Sequence, residues 1–249
     1  MNRWRTIIAL LVLLLLWELL SLLVNAPVLP SPVLVAGALV SEVGRGEILL
    51  HFGASLWRVL ASVLLSVLFA APAGLVLGQS PFWNRLVSPF INWLYPIPKV
   101  VLVPVVLLLL GIGDLAKIVI IFLILFFQIL VLVRDTAANL RPELILSVRS
   151  LGAGRRALFR YVYLPASLPA ILTALRQSVG TAVAVLYVAE LFATQYGLGY
   201  YIFYNGSTLL NYPAMYAGIV AMSLMGMLLY LGIDGLERLL CPWKRPARL

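Results

Sequence analysis

Six stretches of this chain are long and apolar enough to cross a lipid bilayer, and no other feature limits the fold as severely. They run over 7–24, 52–77, 87–110, 115–133, 170–192 and 214–232. Spanning the hydrocarbon core takes about 20 mostly apolar residues. A segment surrounded by lipid has to satisfy its own backbone hydrogen bonds, which a helix does and a lone strand does not. The expectation is an all-α polytopic membrane protein with six transmembrane helices, forming one transmembrane domain over 1–249. Composition agrees: 63% of the 249 residues are hydrophobic and 11% charged, against about a quarter charged in soluble domains.

Two spans carry complications. Arg3 and Arg5 before the first run look like the start of a signal peptide, but Trp17 and Glu18 follow and no small-residue cleavage site is near, so an uncleaved anchor is expected. Glu18 is costly in lipid and should face other helices or an interface. The third span contains Pro96, Pro98 and Pro104 with Lys99 among them. Each proline removes a backbone donor and strains the preceding turn. Two readings fit: the wall of a solute path, where broken backbone is tolerated, or a kinked packing helix whose lysine snorkels outward.

Basic residues set the orientation. With the N-terminus in the cytoplasm, Arg3, Arg5, Arg85, Arg134, Arg141, Arg149, Arg155, Arg156, Arg160, Arg176, Arg238, Lys244, Arg245 and Arg248 fall on the cytoplasmic side, 14 of the 18 Lys and Arg residues. Both termini, the tail over 240–249 and the loop over 134–169 are then cytoplasmic, and 25–50 is external with one short amphipathic helix around 33–43. The net charge of +9 reads as topology rather than nucleic-acid binding. One cysteine, Cys241, and one histidine, His51, give no disulfide framework and no Cys/His metal cluster.

The cytoplasmic loop has its own punctuation. Pro142 suits a first helical turn, and a short helix over 143–151 would end at Gly152, since glycine takes the left-handed conformation cheaply. A second short helix over 155–163 would be stopped by the LPASLP segment. The loop could lie flat on anionic headgroups. Its helix–glycine–helix–proline order fits better with a docking element for a cytoplasmic partner.

The run SLGAGRRALFRYVYLPASLPAILTALR resembles the cytoplasmic-loop signature of permease subunits of binding-protein-dependent ABC importers. Gly152, Val162, Leu164 and Pro165 match it. Leu146, Ser147 and Val148 stand where the family carries Glu-Ala-Ala, with Glu143 about one turn earlier. SLWRVLASVLLSVLFAAPAGLVLGQS, PIPKVVLVPVVLLLLGIGDLAKI, AELFATQYGLGYYI and ERLLCPWKR resemble further family segments, closest to the nitrate, sulfonate and taurine branch, which also includes permeases for thiamine precursors and riboflavin, so the resemblance implies a small solute that is sulfonate-, taurine- or nitrate-like or vitamin-precursor-like. The resemblance implies a MetI-like fold with two permeases side by side as a homodimer, two ABC ATPase subunits and an extracytoplasmic substrate-binding protein, in a bacterial or archaeal plasma membrane. It implies ATPase coupling through Leu146, Arg149, Ser150, Leu151, Gly152 and Ala153. Arg155 and Arg156 would meet either acidic ATPase residues or lipid phosphate.

The chain cannot supply the energy itself. Lys99, Lys117 and Lys244 precede Val, Ile and Arg, so none completes a phosphate-binding P-loop; no cofactor is expected and no catalytic residue. For the solute path, ionisable and polar groups at membrane depth are the candidates. Glu190 leads, as a path-lining residue or as a structural carboxylate held by a neighbouring helix, followed by Tyr187, Gln128 and Lys99. The tyrosines of 196–216 form either an aromatic belt or a contact for the delivering protein. A self-sufficient carrier or channel would show inverted repeats, and a membrane enzyme would cluster acids, histidines or a Ser/Lys pair; neither pattern is visible.

Overall fold

A computed structural model describes residues 3–192 and 194–244. Among them, helices carry nearly everything: α1 Arg3–Val24, α2 Pro32–Arg45, α3 Glu47–Gln79, α4 Pro81–Leu94, α5 Val103–Leu110, α6 Asp114–Ala138, α7 Pro142–Arg149, α8 Arg155–Leu158, α9 Leu164–Leu191, α10 Leu198–Phe203 and α11 Tyr212–Leu240. Five stretches are long and apolar enough to cross a membrane, and α4 with α5, bent by 76° at the Pro96–Pro98 break, makes a sixth. Of the expected cytoplasmic tail, Arg245 and Arg248 lie outside the described residues. The chain groups into two compact units, Met1–Leu56 with Glu190–Met225, and Trp57–Ala189 with Gly226–Leu249.

The larger unit is organised by one helix pair. Along α3, Ser62, Ser66, Ala70, Gly74 and Gly78 recur every fourth residue, a spacing that puts them on one face. Small residues let backbones approach, which is what drives helix association where lipid removes the hydrophobic force. Ser62 Oγ donates to the Ile118 carbonyl at 3.2 Å and Ser66 Oγ to that of Phe122 at 3.3 Å, both on α6. A Cβ on Gly74 would lie 2.9 Å from the Leu130 carbonyl, and one on Gly78 would lie 2.5 Å from that of Arg134. At the start of α6, Asp114 pairs with Arg58 of α3 at 2.7 Å. Every one of these partners is 56 residues apart, so α3 and α6 run parallel. The chain between them must therefore return across roughly the 30 Å that 20 helical residues rise. The bent pair α4–α5 makes that return and counts as one span.

The break is sealed by Lys99. Its ammonium donates to the carbonyls of Leu94, Tyr95 and Ile97 at 2.8, 2.8 and 3.1 Å and sits 4.6 Å from the Phe127 ring centroid. These are carbonyls that the end of α4 leaves without helical partners, and a cation there also meets the helix dipole favourably.

The loop after α6 follows the expected pattern up to Gly152, whose φ of 82° closes the turn with its N–H on the Arg149 carbonyl at 3.0 Å. Beyond it the expectation fails. LPASLP does not stop the second helix: Arg155–Leu191 is one apolar helical run. A π-helical turn at Phe159–Tyr163, with the Leu164 N–H reaching back to the Phe159 carbonyl, widens the helix just ahead of Pro165. Pro165 falls in the first turn of α9, and such inserted turns are a common way for a helix to absorb a local misfit. Farther along, Arg176 ties α9 to α11 through Asp234 at 2.9 Å and through Glu237.

In the smaller unit, α2 starts on Ser31, whose Oγ accepts from the Leu34 N–H, and ends on Gly46 at φ 80°, slightly longer than the 33–43 expected. Trp17 on α1 donates to the Pro30 carbonyl at 3.1 Å, and Ser21 to that of Leu29 at 2.8 Å. The tightest feature is the turn before α10. Gly197 takes φ 133° and donates its N–H to His51 Nδ1 at 3.0 Å. The Leu198 N–H donates to Ser55 Oγ and the Gly199 N–H to Glu190 Oε2, each at 2.8 Å. Ser55 Oγ in turn donates to the Glu190 carboxylate at 2.9 Å. Gly197 alone makes the turn, and Gly199 is already helical. A Cβ on Gly197 would collide with the Glu190 carboxylate.

Two outcomes follow. Gly78→Ala places a methyl against α6 backbone and should destabilise the protein by about 1–3 kcal/mol, read as a lower melting midpoint in detergent, while Gly44→Ala, with open space around it, loses nothing. Gly197→Ala forces an L-residue into a left-handed conformation at about 1–2 kcal/mol, so the amides of Leu198 and Gly199 should exchange with deuterium about 5–30 times faster; unchanged protection would show that the turn carries no strain.

Candidate functional site

Two features of the larger unit have the chemistry of a site. The first is α7. Its eight residues are bounded by Pro142 and by the Gly152 turn, with Glu143 in the first turn and Arg149 in the last, both favourable to the helix dipole. It is too short to span a membrane, and it is firmly closed: Ser147 Oγ bonds the Glu143 carbonyl, and Ser150 Oγ bonds that of Ser147 at 2.9 Å. Yet its apolar side chains are uncovered. Leu146 is 59% and Leu151 85% exposed. Arg149, Ser150, Gly152, Arg155 and Arg156 are exposed beside them and Ala153 is half-buried. Leu146 on this short helix and Leu151 in the turn after it, ringed by cations, make a surface that an acid-rimmed apolar groove would fit.

The second is a cavity of about 280 Å³ whose lining includes Tyr95, Gln128, Asp135, Gln177 and Ser178. The helix break at Pro96 brings Tyr95 to it, α6 supplies Gln128 and Asp135, and α9 supplies Gln177 and Ser178. No hydrogen bond within the chain engages the side chains of Gln128, Gln177 or Ser178 among the described residues. Polar groups at membrane depth are costly without partners, so this lining is suited to meeting hydrogen-bonding groups from outside the chain. Asp135 at one end is paired with Arg134 at 2.9 Å.

Of the sequence candidates, Gln128 falls in this cavity. Lys99 is committed to the carbonyls at the helix break, and Glu190, fully buried, to the turn at Gly197. Tyr187 is half-buried on α9 and joins none of these networks. Sequence reasoning passed over Gln177 and Ser178, although RQS interrupts span five legibly. It also passed over Tyr95 and Asp135, whose meeting depends on the 76° bend.

The description "binding-protein-dependent transport system inner membrane component" matches residues 62–246. The taurine transport system permease protein TauC of Escherichia coli (strain K12) is 32% identical over 91% of this chain and 84% of its own length. The formylaminopyrimidine transport permease protein ThiX of Halalkalibacterium halodurans is 29% identical over 94% of each. In three dimensions, a chain of the MetNI methionine ABC transporter in an inward-facing conformation superposes with a TM-score of 0.66, covering 80% of this chain and 98% of that one at 21% identity. The chain belongs to the inner membrane components of binding-protein-dependent transport systems, the permease subunits of ABC importers.

Proposed function

We propose that this permease imports a small organic acid of the sulfonate class, taurine-like in carrying an ammonium at its other end, and that two ATPase subunits drive it by gripping α7. As a family member, the protein is the transport subunit of an ATP-driven importer, served by a separate ATPase and a solute-binding protein. What goes further is the assignment of roles within this chain.

The observation that carries the coupling role is the α7 elbow: a closed eight-residue helix, a left-handed glycine and uncovered Leu146 and Leu151. A shift imposed on such an element is passed on rather than dissipated, because packed elements respond in discrete steps. The basic residues Arg85, Arg134, Arg141, Arg149, Arg155, Arg156 and Arg160 favour placing this end of the helices in the cytoplasm. Six crossings then put both termini on that side, in the plasma membrane. A second copy of the chain completes the path.

The substrate class is supported by the cavity and by the resemblance to TauC. Amide N–H and hydroxyl groups of Gln128, Gln177 and Ser178 can hold sulfonate oxygens without a fixed cation, which suits a path that has to release what it binds. Asp135 offers the complementary acceptor for an ammonium. Glu190 serves as a structural carboxylate and Lys99 as a cap, both outside the path; Tyr187 is assigned no role.

Gly152→Val should cost about 1–2 kcal/mol in the loop and lower solute-stimulated uptake into vesicles by about 5–30-fold with the complex still assembled; normal coupled transport would remove the coupling role. Gln128→Leu should lower taurine uptake by about tenfold, the worth of one hydrogen bond to a charged group, with ATPase binding unchanged. Transport of formylaminopyrimidine rather than taurine by the wild-type complex would shift the substrate to the class named by ThiX.

A further inference from the structure

A second cavity of the larger unit, about 500 Å³, lies where the loop folds back on the end of α3. Gln79, Trp83, Arg149, Arg155, Leu158 and Tyr163 are among its lining residues, and no acidic residue is. Arg149 and Arg155 form no ion pair among the described residues. Among the described residues of this unit, Arg58, Arg134 and Arg238 are matched with Asp114, Asp135 and Asp234, and other exposed arginines face solvent singly rather than sharing a concavity. Here two guanidinium groups share one concavity with nothing to neutralise them. Arg155 and Arg156 also stand in the first turn of the helical run Arg155–Leu191, where no acid is present and where cations run against the helix dipole. An anion in the cavity offsets both repulsions.

We infer that this cavity binds a phosphate-class anion held by Arg149 and Arg155, and that the headgroup of an anionic phospholipid is its source. Guanidinium groups match phosphate oxygens in geometry and stay charged. The rest of the lining favours a phosphate that arrives on acyl chains: Trp83 is a residue of membrane interfaces, and Leu158 and Phe159 with Leu75 and Val76 give the wall an apolar side. Gln79 is already engaged with the Ala137 carbonyl and holds the α3 end in place. A bound headgroup would tie the α7–α8 elbow to the α3–α4 turn, so the elbow would be stiffest in a membrane that supplies that lipid. The inference rests on the cytoplasmic placement of the loop proposed above, but its readout does not require the ATPase to couple.

The test uses the permease purified with its ATPase, delipidated in detergent and studied by native mass spectrometry. Three probes are added separately: phosphatidylglycerol, phosphatidylcholine and inorganic phosphate. Phosphatidylglycerol should be retained at least about tenfold better than phosphatidylcholine, and Arg149→Gln with Arg155→Gln should remove that preference, as expected for loss of two charge-assisted contacts. The paired Arg→Lys variant should keep most of it, and Arg160→Gln, outside the cavity, should keep all of it. Variant-sensitive binding of inorganic phosphate without a lipid preference would support the anion site and give it a soluble ligand. Equal retention of every probe by wild type and the Gln pair overturns the inference. If the Gln pair fails to assemble, a photoreactive phosphatidylglycerol on the wild-type complex decides: crosslinks at 79–83 and 149–163 support the site, and crosslinks confined elsewhere refute it. Uptake measured on the same samples is scored separately, so a failed coupling role and a failed anion site leave different signatures.

Discussion

The parallel contact of α3 with α6 is the constraint on which the larger unit depends. In lipid, two apolar helices gain little by exchanging tail contacts for each other, so association rests on close packing and interhelical polar contacts. This pair supplies both. Ser62 and Ser66 each reach a carbonyl across the interface, Gly74 and Gly78 remove the atoms that would hold the backbones apart, and the Arg58–Asp114 pair sets the register at one end. The serines also back-bond to their own i−4 carbonyls, Arg58 and Ser62, at 2.6 and 2.7 Å, so their hydroxyls stay satisfied on the helix. Once the register is set, the intervening segment has one course open to it, a return crossing, and its prolines determine where that crossing bends.

The bend then determines what the cavity contains. A straight third span would carry Tyr95 past α6 in an unbroken helix. The break at Pro96–Pro98 instead leaves carbonyls exposed, which Lys99 covers, and places Tyr95 beside Gln128 and Asp135. The lysine that looked like a candidate for handling solute is consumed by the backbone that the prolines opened. Glu190 tells a similar story in the smaller unit. An acid at that depth attracts a functional reading, yet its oxygens are occupied by Ser55 and the Gly199 N–H. In both cases the sequence showed an ionisable group at membrane depth but not the donor or acceptor that had claimed it.

Hydropathy made the spans legible because lipid imposes a length on them: five of the expected runs lie inside or within a residue of an observed helix, and the third, 87–110, crosses the bent pair α4–α5. Gly152 was legible because a left-handed turn after a proline-started helix has a compositional signature. The continuity of Arg155–Leu191 was not. Proline in a sequence argues for a stop, and only the π turn at Phe159–Tyr163 shows how the helix accommodates Pro165. The Ser–Ser–Ala–Gly–Gly stripe was readable at its four-residue spacing, but its partner on α6 has no matching small-residue pattern that would have announced the contact. Tyr95, Asp135, Gln177 and Ser178 meet through tertiary geometry alone.

The π turn bears on how the elbow can work. A helix of 37 residues is about 55 Å long at 1.5 Å per residue, and along it lie Arg155 beside the elbow, Gln177 and Ser178 in the cavity wall, and Glu190 at the turn before α10. A uniform α-helix would bend little under a push on α7. A π turn is a local underwinding of the helix, held by an i→i+5 bond where α-helix would make i→i+4 bonds, and such insertions recur at functional sites. It lies between Arg155–Arg156 and Pro165. Under the coupling role proposed for α7, a change in winding here would rotate the part of α9 that carries Gln177 and Ser178. That is the kind of motion by which a polar lining grips and releases a solute without any residue leaving its helix.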